Sequence, residues 1–300
     1  MKENPHGSYT TDNYFSTESD ALNALLYAYA PINYIEYGAR FRFNIADVTT
    51  NQYTSYNKGL ETGFYTWDIN PNTEEFLYFF KYVYLSITRA NAVLENVSTM
   101  NNIDPIVKEQ FLGEAYFLRA FNYFMLVRTF GEVPLHEEVI KNMDMGQRSY
   151  ASIETLYEFI ISDLEEAISK MDIDKQPGRA DKVAAQSLMS KVYLTMASSK
   201  MTGAPGYEWV SNYDEMYAKA AKYAGEVLYD QSTYGLEPDL LKIYDVEHQN
   251  DSIEHIFITS MSREGKGQEG SFSQLPQMYG IGGLQEIYIS SSLDNKDDDV

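Results

Sequence analysis

The 300-residue chain contains no cysteine. Disulfides, thiolate zinc sites, iron–sulfur clusters and cysteine nucleophiles are therefore excluded within it. Export is not excluded, because secreted proteins can manage without disulfides. Positive charge is scarce: 23 Lys and Arg stand against 44 Asp and Glu, a formal net charge of −21. Such a chain lacks the basic footprint needed to bind DNA or RNA or to lie on an anionic membrane surface. Long apolar runs are missing too. The stretch around Ala24–Ile32 is too short to span a bilayer and is broken by Pro31. Met1–Gly7 has no basic segment leading into an apolar one, so no signal peptide is expected there. Tyrosine is what abounds, at 26 residues beside 15 Phe and 2 Trp, and its amphipathic ring suits wet aromatic binding surfaces. With 44% hydrophobic and 22% charged residues the composition is that of a folded, soluble protein.

The dominant hydrophobic period is helical. Residues 18–31 place Leu22, Leu25, Leu26 and Tyr29 on one face, with Thr17 and Asp20 in capping-box positions. A polar, aromatic, glycine-containing stretch follows over about 34–72. Glu74 and Glu75 then open a helix that runs to about Val97. Asp104 and Pro105 form an N-cap with proline in the first turn, and Gly131 supplies the stop. The intervening helix is apolar almost all round and is expected to be buried between neighbours. Further helices are expected at about 152–171, 181–199 and 213–229. Short polar connections between them predict helical hairpins of the size found in stacked repeats. After about residue 232 the texture changes: Ile253–Ser260 reads as a strand, and the remainder is rich in Gly, Ser and Gln. The closing acidic run Asp294–Val300 reads as a truncation or a disordered tail.

Most chemical motifs fail. Gly265–Gly270 matches GxGxxG, but Leu275-Pro276 follows where a dinucleotide site needs a helix, so a surface loop is expected. The four histidines, His6, His136, His248 and His255, are scattered and read as solvated or capping residues. Neighbouring carboxylates such as Glu165 and Glu166 diverge on a helix and cannot face each other across a cleft. Asp172–Gly178 misses the EF-hand spacing by one residue. No catalytic residue, metal site or cofactor is proposed.

The informative constellation is aromatic. Between Arg40 and Trp67 lie Tyr53, Tyr56, Phe64, Tyr65 and Trp67, mixed with Asn51, Gln52, Asn57 and Lys58 and without a helical stripe that would need those rings for a core. Sugars present C–H faces that sit on aromatic rings and hydroxyls that seek Asn, Gln, Asp and Arg. The bland alternative is a satellite hydrophobic cluster covering the first helical hairpin.

Three further stretches carry a resemblance. Tyr84-Leu85-Ser86-Ile87-Thr88-Arg89-Ala90-Asn91 resembles a "Y..I.RAN" helix. Glu114–Phe124, running on to Arg128-Thr129-Phe130-Gly131-Glu132-Val133-Pro134-Leu135, is similar to "EARFLRAL.YF.L.R.FG.VPL". Gly178–Ala185 through Lys191-Val192-Tyr193-Leu194 is similar to "GR..K.AA..L..KVYL", and Glu254–Ile258 sits at an "E.IF" strand. In this order they resemble the SusD/RagB family of outer-membrane nutrient-binding lipoproteins, over about residues 18–260.

The resemblance implies a mainly α fold: tetratricopeptide-like helical hairpins with long loops and a few short strands, stopping short of the family's C-terminal portion. One domain over 1–300 is expected, with a scaffold at about 18–231, a ligand-face region at about 232–290 and an acidic tail at 291–300. The resemblance also implies a non-catalytic protein, lipid-anchored on the outer face of the outer membrane. There it would capture oligosaccharide or polysaccharide for a SusC-like TonB-dependent barrel. The family's lipidated cysteine is absent from this chain, so any membrane attachment would come through an anchor this sequence does not contain. The motif residues themselves read as structural: Arg119 in its buried helix requires a carboxylate or carbonyl partner, and Gly131 and Pro134 shape the turn after it. Trp67, Tyr65, Tyr56 and Tyr53 are the expected stacking platforms, with Asn51, Asp47 and Arg40 as hydroxyl partners. Gln277, Tyr279 and Gln285 in a late loop form a second group of candidates. Two alternatives stay open, peptide cargo as in the RagB branch and a helical-repeat adaptor for another protein. A glycosidase would need two facing carboxylates, of which the sequence gives no sign.

Overall fold

The computed structural model describes residues 15–42, 44–50, 53–55, 62–176, 178–229, 233–243, 245, 252–258 and 287–289. Among these the helices are α1 (Glu18–Tyr29), α2 (Thr62–Thr66), α3 (Glu74–Val97), α4 (Pro105–Phe130), α5 (Met143–Gly146), α6 (Ile153–Lys170), α7 (Lys182–Thr202), α8 (Tyr213–Tyr229) and α9 (Leu240–Ile243). The strands are β1 (Tyr53–Ser55), β2 (Val133–Pro134), β3 (Tyr150–Ala151) and β4 (Ile287–Ile289). The fold is mainly helical, as the sequence predicts. By internal contacts the chain divides into two compact units, one of Met1–Tyr29 with Leu85–Ser260, the other of Ala30–Tyr84 with Met261–Val300.

The first unit is a helical stack whose ends are written into its sequence. At α1 the Thr17 amide donates to Asp20 Oδ2 at 2.8 Å and the Asp20 amide donates to Thr17 Oγ1 at 3.2 Å, a reciprocal capping box. Asp104 accepts from the amides of Ile106 and Val107 at the start of α4. Ser152 and Asp181 cap α6 and α7 in the same way, and Gly203 ends α7 in the left-handed conformation. Helix α4 packs against α1 and α6, α6 against α7, and α7 against α8. Fourteen residues of α4 are buried, which explains why its sequence shows so little amphipathic contrast. A Cβ on Gly113 would lie 2.5 Å from Met171 Cγ, so only glycine lets α4 come this close to the end of α6.

Two buried ionic networks tie this stack together. Arg119 grips Asp163 on α6 with two hydrogen bonds of 2.7 Å and donates to Asn91 Oδ1 and to the Glu137 carbonyl. Asn91 donates in turn to the carbonyls of His136 and Glu138. The Tyr123 hydroxyl accepts from the His136 amide at 2.7 Å. The partners expected for Arg119, a carboxylate and a carbonyl, are both present. His136 departs from the sequence expectation of a solvated or capping residue: it is buried, and its backbone is what α4 and α3 hold. Burial pushes the Asp163 carboxyl up to about 6 although Arg119 pulls the other way. In the second network, Arg179 donates to both oxygens of the fully buried Glu114, which also accepts from Tyr29 and Gln110. Here too burial raises the carboxyl above its usual range, against the pull of Arg179.

The strand predicted over Ile253–Ser260 does not form across its described part, 253–258. The Ile253 amide donates to the Glu237 carboxylate instead of a neighbouring strand, and Phe257 turns into a ring cluster with Tyr29, Phe117 and Phe121. Residues 259–260 and the glycine-rich stretch 265–270 lie outside the described residues. No helix among the described residues is long and apolar enough to cross a membrane.

Candidate functional site

The second unit holds Arg40, Asp47, Tyr53, Tyr65 and Trp67, the described candidates for ligand contact, whereas the described residues 233–243, 245 and 252–258 of the expected ligand-face region fall in the first. Its core is a stack of aromatic rings. A 3-10 turn (Ala30–Asn33) and two π-helical turns (Ile35–Phe41 and Asn44–Val48) lead from α1 toward β1. As this segment runs through Tyr34, Tyr37 and Phe41, its ring partners on α3 run backwards through Tyr82, Phe79 and Phe76. Phe41 lies on Phe79 with centroids 4.0 Å apart and planes 15° apart, and Phe64 of α2 stacks on Phe76 at 5.8 Å. Gly38 is required for this course, because a Cβ there would sit 2.0 Å from the Ile32 carbonyl oxygen.

This corrects the reading of the Arg40–Trp67 stretch as free of core rings. Phe41 and Phe64 in that stretch, and Tyr37 just before it, are fully buried. A wide π-helical turn has no 3.6-residue stripe, so the period that signals a core helix is absent although the rings are core.

Trp67 is the opposite case. It follows α2 with φ of 58°, the one non-glycine residue with positive φ among the described residues, and it is 68% exposed. Left-handed backbone at a bulky residue costs on the order of 1–3 kcal/mol. Phe64 anchors α2 inward, and the reversal at Trp67 turns the indole outward. Gly63 permits the reversal: a Cβ there would stand 3.0 Å from the Asp68 carbonyl oxygen.

The remaining candidates are placed as follows. Asp47 is half-buried in the second π turn, where its carbonyl accepts from the amide and hydroxyl of Thr50. Tyr53 begins β1, which pairs antiparallel with β4 in the register Tyr53 to Ile289. Tyr65 lies on α2 and Arg40 in the first π turn. The π turn carrying Asp47, the strand carrying Tyr53 and the helix carrying Tyr65 are mutual neighbours, and the turn carrying Arg40 adjoins that of Asp47. Asn51, Tyr56, Gln277, Tyr279 and Gln285 lie outside the described residues. In the same turn as Asp47, Asn44 is fully buried and neither atom of its amide finds a hydrogen-bond partner. Among the described residues no three His, Asp or Glu side chains gather as metal ligands. The arrangement offers an exposed flat ring beside polar turns, the means for stacking on a ligand. Sequence reasoning assigned nothing to Tyr78 and Tyr82, although their spacing of four on a helix puts both on one face.

A family model described as starch-binding and associating with the outer membrane matches residues 10–194. The chain belongs to the SusD-like family. Members of this family are non-catalytic binding proteins. A SusD-like protein of Bacteroides ovatus is 30% identical over 196 residues, which cover 63% of this chain and 35% of that protein. SusD-like protein P2 of Formosa agariphila is 26% identical over 285 residues, covering 90% of this chain and 52% of that one. The chain thus spans between about a third and a half of the length of these curated relatives. Among solved structures, a SusD superfamily protein of Parabacteroides distasonis matches with a TM-score of 0.75 at 25% identity, over 89% of this chain and 56% of its own. A structure with xylogluco-oligosaccharide (TM-score 0.67, 24% identity, 81% of this chain and 47% of that one) shares the SusD-like fold. So does a laminarin-binding SusD-like protein (TM-score 0.63, 23% identity, 80% and 51%).

Proposed function

We propose that this chain captures an oligosaccharide or polysaccharide at the cell surface, without catalysis, for delivery to a TonB-dependent outer-membrane transporter. The observation that carries the glycan reading is Trp67, an indole displayed to solvent on a strained backbone beside the turns and strand that carry Asp47 and Tyr53. A solvated indole has no folding reason to sit at positive φ, and strain held at one exposed ring is a mark of function. Two SusD-like structures whose ligands are an oligosaccharide and laminarin support the ligand class. Attachment through a lipid anchor and pairing with a SusC-like barrel rest on family membership. In this reading Trp67, Tyr65, Tyr56 and Tyr53 stack on sugar rings, and Asn51, Asp47 and Arg40 meet their hydroxyls. Gln277, Tyr279 and Gln285 extend the surface. The test is calorimetric titration against a panel of polysaccharides, with Trp67→Ala alongside. Binding to one glycan class, lost in the variant, is expected. Binding that the variant retains would remove Trp67 from the site, and no binding by the parent chain would overturn the glycan reading.

A further inference from the structure

Tyr34, Tyr78 and Tyr82 form a second aromatic surface in the same unit. Tyr78 and Tyr82 project from successive turns of α3 with ring centroids 6.4 Å apart and planes 18° from parallel. Tyr34 meets Tyr82 edge-on at 5.0 Å, so a ring from another element fixes the pair. Tyr34 and Tyr82 form one end of the ring ladder that continues through Tyr37 and Phe79. Tyr78 is exposed and the other two are half-buried. Among the described residues none of their hydroxyls has a hydrogen-bond partner. The hydroxyls of Tyr29, Tyr123, Tyr157, Tyr207 and Tyr234, by contrast, are all engaged. Burial, with Glu36 and Tyr34 nearby, raises the Tyr82 phenol above its usual range and keeps it a donor.

We infer that Tyr78, braced by Tyr82 and Tyr34, is a second stacking subsite for pyranose rings of an uncharged glycan. The inference rests on the proposed glycan capture and extends it to rings on α3 and at Tyr34. Free phenol hydroxyls and the Lys81 ammonium, 5.2 Å from the Tyr82 ring centroid, supply the polar rim that sugar hydroxyls need. The charge balance favours an uncharged ligand: residues 30–84 carry six carboxylates against four cations, in a chain of net charge −21.

The test uses the full chain and titrates a neutral polysaccharide that it binds, together with a carboxylated one. Tyr78→Ala and Tyr82→Ala are each expected to weaken binding of the neutral polymer about five-fold, and Tyr78→Phe, which keeps the ring and loses only a rim hydroxyl, to weaken it less. Leu77→Ala, at a more exposed apolar side chain on the same turn, is expected to change nothing. Ring-labelled tyrosine NMR on the parent chain checks the contact without any variant, as a shift of the Tyr78 ring signals on adding glycan. Unchanged affinity and unmoved Tyr78 signals would overturn the subsite while leaving glycan capture standing. An equal loss in Leu77→Ala would mark the surface as a general apolar contact for a protein partner and also overturn it. Tighter binding of the carboxylated polymer would overturn the uncharged class. No glycan binding by the parent chain would remove the proposed function and the subsite together.

Discussion

Asn91 and Asn44 are both buried, yet they live under different rules. Asn91, in the first unit, accepts from Arg119 and donates to two carbonyls. Asn44, in the second, has an amide with no partner at all. The same contrast runs through the two regions. The first unit satisfies its buried charges with matched partners, Arg119 with Asp163 and Arg179 with Glu114, and its helices end on designated caps. The second is held by ring stacking, uses π-helical turns, and keeps its one strained non-glycine residue on the surface. Satisfied polar networks fix one arrangement. Strained backbone persists only where something other than stability selects it. The contrast separates a scaffold from the surface proposed to meet ligand.

The largest expected effect strikes the scaffold. Arg119→Ala leaves Asp163 buried without its cation and is expected to cost about 3–5 kcal/mol, read as the loss of unfolding free energy in a denaturant titration. The pH dependence follows from the same carboxyl. Its folded value, about 6, lies above the ordinary carboxyl value of 3.8. Its contribution to stability is therefore fully present below the unfolded value and is lost as pH rises through about 6. Asp163→Asn should remove that slope between about pH 4 and 6, where thermal melts of the two proteins can be compared; parallel curves would contradict it. Next in size are two substitutions of opposite sign. Asn91→Leu orphans buried carbonyls and is expected to destabilise by about 1–3 kcal/mol, whereas Asn44→Leu removes an unpaired amide and is expected to be neutral or stabilising. If both were equally harmful, the distinction between the units would fail. The smallest effect is Trp67→Gly, which relieves left-handed strain and is expected to stabilise by about 1 kcal/mol while weakening glycan binding. A variant that binds as well as the parent would separate the strain from function.

The scaffold was legible because its signals are local. Thr17 with Asp20, Asp104 before Pro105, and Gly131 after Phe130 each mark a helix end within a few residues, and the structure keeps all three. The SusD-like motifs fell on the same helices for the same reason. The second unit was harder to read. Phe64 sits on a helix of five residues, too short to show a 3.6-residue period, so it looked like a surface ring when it is core. The unit's sheet joins β1 to β4 across more than two hundred residues, a pairing no local pattern announces. The segment 253–258 misled in the other direction: β-branched and aromatic residues imitate a strand, but Glu237 takes the Ile253 amide. Tyr78 and Tyr82 were hidden inside a correctly expected helix, because periodicity shows which rings share a face and not which hydroxyls remain unpaired.

The two tryptophans allow the contrast to be tested in one titration. Trp209 belongs to the first unit, where its indole donates to the Gly206 carbonyl and packs near Tyr157. Trp67 stands exposed in the second. Emission of Trp209→Phe therefore reports Trp67 alone, and emission of Trp67→Phe reports Trp209 alone. The expected result on adding a neutral glycan is a saturable emission shift in Trp209→Phe and none in Trp67→Phe. A saturable shift confined to Trp67→Phe would place the ligand on the scaffold and contradict the division of labour between the two units.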